Sequence, residues 1–140
     1  MSVIVRHGVV VVVLREGRLL MIRRAPGLLA GGAWCFVGGG IEPGEAEPDA
    51  VVREFSEEVG GRVTPVRKLW EYTRPDGRLI LHWWLAELHD ELLQPNPNEV
   101  SELRWCSPSE IRALDWVLES NLAFLDQFEE RLLDPGFENA

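Results

Sequence analysis

The chain has 140 residues, 46% hydrophobic and 26% charged, with a formal net charge of −9. Those values suit a single domain (1–140) with its own core, and the charge argues against binding a nucleic-acid polymer through its backbone. The longest apolar run, Val9 to Leu14, is too short to span a bilayer, and Met1-Ser2-Val3-Ile4-Val5-Arg6 lacks the pattern of a signal peptide. No membrane partner and a cytoplasmic location are therefore expected. Cys35 and Cys106 have neither disulfide-framework nor metal-ligand spacing, and read as two buried, reduced thiols.

In chain order, Val9 to Leu14 reads as a buried strand. Glu16-Gly17 reads as a turn, and Arg18 to Arg23 as a strand returning in a hairpin. Ala25 to Ala33 is a loop, and Trp34 to Val37 a short apolar piece that enters Gly38-Gly39-Gly40. Pro48 suits the first turn of a helix, which runs to about Val59 and stops at Gly60-Gly61. Arg62 to Tyr72 and Leu79 to Leu88 are strands around a Pro75-Asp76-Gly77 turn. Asp90 to Glu99 is a polar loop and Leu103 to Cys106 a short strand. Ser107 and Glu110 have capping-box spacing, and a last helix covers about Glu119 to Leu133. The mixture of elements predicts an α/β (α+β) sandwich, one mixed β-sheet between helices.

The chemistry is concentrated on the helix behind the glycines. At 100° per residue, Glu54, Glu57 and Glu58 fall within about 100° of one another, beside a core-facing arc of Val51, Val52, Phe55 and Val59. Clustered like charges are unfavourable without a partner, and Arg53, four residues before Glu57, offsets only part of the excess. A hard divalent cation, Mg²⁺ or Mn²⁺, would neutralise the rest through oxygen ligands. Gly38, Gly39 and Gly40 allow close backbone approach, so a carbonyl there could join the carboxylates.

The spacing Gly39, five residues, Glu45, seven residues, Arg53-Glu54-Phe55-Ser56-Glu57-Glu58-Val59-Gly60 resembles the Nudix box, G-x5-E-x7-R-E-U-x-E-E-x-G-U. It spans residues 39–61 and departs only at Gly61, where an aliphatic residue is usual and glycine is expected to loosen the packing. Trp34-Cys35-Phe36-Val37-Gly38-Gly39 is similar to the lead-in of MutT-like members, with Val37 in place of proline. The resemblance implies an α/β/α sandwich and Mg²⁺-dependent (or Mn²⁺-dependent) hydrolysis of a diphosphate bond in a small nucleotide. A nucleoside triphosphate, normal or oxidised, leads, with ADP-ribose, a dinucleoside polyphosphate or a non-catalytic nucleotide-binding module as alternatives. By position, Glu54, Glu57, Glu58 and the Gly38 carbonyl would be metal ligands, and Arg53, paired with Glu45, would orient them. Glu54, or an acid outside the box, would be the base, and Glu99 and Glu102 are candidates for that outside base or for an extra metal ligand. Arg23 and Arg24 are candidates for phosphate contact, Trp34 and Phe36 (with Tyr72, Trp83 and Trp84) for a stacking wall, and His82 for the pocket lining. Alternation along Leu81 to Leu85 sends His82 and Trp84 to one sheet face and Trp83 to the other. A homodimer is compatible with the apolar stretch Leu114, Trp116, Val117 and Leu118.

Overall fold

The computed structural model describes residues 4–137, so Met1-Ser2-Val3 of the N-terminal segment read above lies outside them. The elements are β1 Arg6–Val12, β2 Leu14–Arg15, β3 Arg18–Arg24, β4 Trp34–Cys35, β5 Val37–Gly40, α1 Glu47–Val59, β6 Val63–Thr73, β7 Leu79–Leu88, β8 Val100–Cys106, α2 Pro108–Arg112 and α3 Glu119–Leu132. The order β5-β1-β7-β6 makes a mixed sheet in which β1 runs parallel to β7 and antiparallel to β5. Beside it lies an antiparallel sheet in which β3 pairs with β2, β4 and β8.

The expected mixed sheet between helices is present, and alternation on β1 shows why. Val9, Val11 and Val13 pack with Ala50, Val51, Phe55 and Val59 of α1. Val10 and Val12 pack on the opposite face with Phe124, Leu125 and Phe128 of α3. A strand buried on both faces reads as a continuous apolar run rather than an alternating one.

The expected hairpin of Val9–Leu14 with Arg18–Arg23 is corrected. Leu14 and Arg15 pair with Leu19 and Arg18, the Val13 carbonyl accepts from the Leu20 N–H at 3.2 Å, and Val9 to Val12 belong to the other sheet. The turn at Glu16 and Gly17, both at positive φ (53° and 76°), closes a short hairpin, while central burial captures the valine run. The last short strand is longer than expected, Val100 to Cys106, because β3 offers it a partner along its whole length. Val52 is 41% exposed and not part of the core arc, and Ala50 faces the sheet instead.

Two sequence signals are realised as written. The Ser107 side chain accepts from the Glu110 N–H, and the Glu110 carboxylate accepts from the Ser107 N–H. Gly60 ends α1 at φ 68°, its N–H bonded to the Ser56 carbonyl. Gly61 is different from expectation. A Cβ there would come within 2.6 Å of both Phe55 and Leu93, so glycine admits close packing rather than loosening it. Cys35 and Cys106 are buried free thiols, and burial pushes the Cys35 thiol up to about 12.

Candidate active site

The box helix meets the glycine loop through Arg53. Its Nε and one terminal nitrogen donate to the two oxygens of Glu45, both at 2.8 Å, a bidentate fork. The other terminal nitrogen donates to Glu54 at 2.9 Å and Glu57 at 3.2 Å, and a further bond reaches the Gly40 carbonyl at 2.9 Å. One guanidinium therefore ties the loop, the box acid Glu45 and two helix carboxylates into one body. Hydrogen bonding to Arg53 holds the Glu45 carboxyl down at about 2, so it stays ionised.

Gly39 passes against this cluster. A Cβ at Gly39 would lie 2.3 Å from the Glu54 carboxylate, which is why the chain has no side chain there. Gly38 directs its N–H toward Glu58 at 3.5 Å. Burial, then the nearby Glu54 charge, pushes Glu58 up to about 8, and burial also raises Glu54. Glu57, in contrast, is more than half exposed. Glu57 and Glu58 occupy the last turn of α1, which carries no basic residue and where the helix dipole is itself negative.

Glu99 comes from a separate part of the chain. Its charge acts on both Glu54 and Glu58. The loop bearing it is fastened to α1, since the Asn96 N–H donates to the Glu58 carbonyl at 2.8 Å and the Glu99 N–H to Asn96 at 3.0 Å. Glu102 lies further along β8, opposite Arg23 and paired with Arg104, and the structure does not bring it to the cluster.

Glu45 and Glu58 of this group border a cleft of ≈ 1340 Å³ that runs from Glu58 and Gly38 past Phe36 to Tyr72 and Arg74. The two arginines at the end of β3 divide. Arg24 lines the cleft, anchored by donation to the Leu29 carbonyl at 2.8 Å, and its charge reaches Glu58. Arg23 is engaged elsewhere, with the Gly32 carbonyl, Asp115 and the ring of Trp34. Phe36 is core and cleft wall at once, but Trp34 and Trp83 are fully buried and supply no stacking surface. Tyr72 lines the cleft, whereas Trp84 donates from the other sheet face to Glu47 at 2.9 Å.

His82 borders the cleft but is bound into a network. Lys68 lies 2.8 Å from its Nδ1 and His7 Nδ1 lies 2.9 Å from its Nε2. An ammonium only donates, so His82 accepts at Nδ1, carries its proton on Nε2 and donates to His7. Asn121 is a cleft residue that the sequence reading missed. It is buried on α3, and its Oδ1 accepts from the Phe36 N–H at 2.9 Å. The available signal was a polar residue at helical spacing from Phe124, Leu125 and Phe128.

The NUDIX domain model matches residues 5–128. The chain belongs to the Nudix family. It is 35% identical over 102 residues to the CTP pyrophosphohydrolase of Escherichia coli K12, a match covering 71% of this chain and 73% of that one. The 8-oxo-dGTP diphosphatase of the same organism is 49% identical over 57 residues, covering 37% and 42% of the two chains. An NAD-capped RNA hydrolase of Chromobacterium violaceum is 31% identical over 94 residues, which are 67% of this chain but only 35% of that protein. Among solved structures, the NUDIX hydrolase of Nitrosomonas europaea superposes with a TM-score of 0.82 at 22% identity, covering 94% of this chain and 73% of that one. The E. coli ORF135 protein superposes at 0.75 and 28% identity, covering 96% of each. The chain is a Nudix pyrophosphohydrolase, a hydrolase of phosphoanhydride bonds in nucleotide derivatives. Among the described residues, no helix of this Nudix chain is long and apolar enough to cross a membrane.

Proposed function

We propose that the protein hydrolyses a nucleoside triphosphate, normal or oxidised, to the monophosphate and pyrophosphate with Mg²⁺ or Mn²⁺. The observation that carries this reading is the set of carboxylates left in excess of Arg53, with Glu58 and Glu54 partly buried and raised and Glu57 and Glu99 adjoining them. An all-oxygen donor set whose charge is disfavoured without a cation fits a hard divalent ion. Glu54, Glu57, Glu58 and the Gly38 carbonyl would hold it. Such an ion, when bound, neutralises the diphosphate and acidifies a water.

The protein's own residues do the remaining work. Arg53 fixes Glu54 and Glu57 against each other, and Glu45 keeps Arg53 from swinging away. Glu99, reaching the cluster from outside α1, takes the proton from the attacking water. Arg24 faces the charge of the transferred phosphates at the cleft mouth. Phe36 and Tyr72 provide the apolar surface on which a base can lie.

The test is turnover of nucleoside triphosphates, ADP-ribose and dinucleoside polyphosphates with Mg²⁺ and without it, reading pyrophosphate and phosphate release separately. Metal-dependent pyrophosphate release from a triphosphate supports the proposal. Turnover confined to ADP-ribose or to a dinucleoside polyphosphate would replace the substrate, and binding without turnover of any compound would replace the reaction.

A further inference from the structure

The sheet register sorts the cleft into rows. Nearest the acidic cluster, Gly38 of β5 lies beside Val10 of β1. In the next row Gly40, Gly8, Leu81 and Tyr72 lie side by side across β5, β1, β7 and β6. Outermost, Arg6 of β1 lies beside Leu79 of β7, and the Arg74 N–H donates to the Leu79 carbonyl at 2.9 Å. Arg6 and Arg74 thus flank Leu79, about 10 Å apart at their Cα atoms, since neighbouring strands are about 4.8 Å apart. Both line the cleft.

We propose that Arg6 and Arg74 read the edge of the substrate's base, selecting one with adjacent hydrogen-bond acceptors, as guanine offers at O6 and N7. The proposal rests on the nucleotide reading above and deepens it. The phosphates are drawn to the acidic end by the ion held there. Four residues along β1, from Val10 to Arg6, place the arginine row about 13 Å from it. A nucleoside spanning that gap lies on Leu81 and Tyr72 with its base edge toward the two guanidiniums. At Gly40 a Cβ would meet no atom within 4 Å, so the floor is open there.

The chemistry of the pair sets the choice. A guanidinium donates and never accepts, so it matches acceptor atoms and leaves the amino group of adenine without a partner. Arg74 is held in place beforehand, since Asp76 accepts from its Nε at 2.9 Å and its terminal nitrogen at 2.8 Å, and is itself fixed by the Arg78 N–H. Arg6 has no ion pair among the described residues, in a chain of net charge −9. Its N–H donates to the Arg78 carbonyl at 2.9 Å and its backbone pairs with Leu79, so its side chain can be changed without disturbing either.

The experiment measures kcat/KM for GTP, ATP, CTP and UTP with Mg²⁺ on the full chain and on Arg6→Leu and Arg74→Leu. In parallel, calorimetry measures GTP and ATP binding by the Glu57→Gln chain with and without Arg6→Leu. The expected result is a preference for GTP over ATP that falls about 5- to 150-fold in either arginine variant. An equal loss for all four nucleotides would show the arginines reading phosphate and overturn the proposal, as would an unchanged ratio or a wild type that does not favour GTP. If Arg74→Leu does not fold, Arg6→Leu decides alone. If the wild type turns over no nucleotide, the hydrolysis reading fails separately. The binding arm then decides: an Arg6-dependent preference for GTP keeps the base reading, and its absence overturns it.

Discussion

The two ends of α1 carry similar acids in opposite circumstances. At the N-terminus Glu47 and Asp49 sit where the helix dipole favours negative charge. Glu47 is also matched, by Lys68 at 3.0 Å and by the Trp84 indole N–H at 2.9 Å, and Lys68 binds Glu71 at 2.6 Å as well. At the C-terminus Glu57 and Glu58 oppose the dipole, and Arg53 is already divided among Glu45, Glu54 and Glu57. The first group is balanced and should serve the fold. The second has unmet charge and should serve a ligand. Both ends border the cleft, through Glu47 and Glu58, but the sheet supplies the first with Lys68 and the Trp84 indole, whereas the last turn of the helix carries no basic residue.

The largest test of this contrast is Glu57→Gln or Glu58→Gln. Each should lower Mg²⁺-dependent turnover roughly 10²–10³-fold, measured as pyrophosphate release, while far-ultraviolet circular dichroism stays native. Glu58→Gln should also raise the melting temperature of the metal-free protein, since it removes a carboxylate whose charge burial disfavours. Mg²⁺ should then stabilise the wild type but not this variant. A metal-free Glu58→Gln chain that melts lower than wild type would contradict the idea of unmet charge.

Next in size is Gly39→Ala, which drives a methyl group into the Glu54 carboxylate. A displacement of that group by about 1 Å should cost on the order of 10²-fold in kcat, with little change in the melting temperature. Arg53→Lys, which loses the fork to Glu45, should cost about 10- to 100-fold.

The balanced end should respond the other way. Lys68→Met leaves Glu47, Glu71 and His82 without their shared donor, and should destabilise the fold by about 1–2 kcal/mol in denaturant melts while kcat stays near wild type. A loss of kcat without a loss of stability would erase the distinction between the ends.

The smallest effect concerns pH. Burial lowers His82 below its ordinary value of 6.5. The unfolded chain therefore binds this proton more readily, so the contribution of His82 is complete above 6.5 and declines as the pH falls below it. Between about pH 7 and pH 5.5 the wild type should lose more melting temperature than His82→Gln.

The box was legible because its spacing is local. Glu54, Glu57 and Glu58 share a helix, and a periodicity of 3.6 fixes their angles whatever packs against them. Gly60 and the Ser107–Glu110 cap were legible for the same reason, since each satisfies backbone groups a few residues away. The Val9–Leu14 hairpin was misread because a valine run buried on both faces carries no mark of its partner, and β7 lies about seventy residues away.

What the sequence by itself determined is the clustering of Glu54, Glu57 and Glu58, which helix geometry fixes, while the class of bond followed from the resemblance of the 39–61 spacing to the Nudix box. Only the tertiary structure decided which further residues join the cluster. Strand register and loop closure separated Glu99 from Glu102 and Arg24 from Arg23, tied His82 to Lys68 and His7 at the border of the cleft, buried Trp34 and Trp83, and brought Arg6 and Arg74 to either side of Leu79. Those choices depend on contacts between segments distant in the chain, whose free energy is that of packing and is not written in any local pattern.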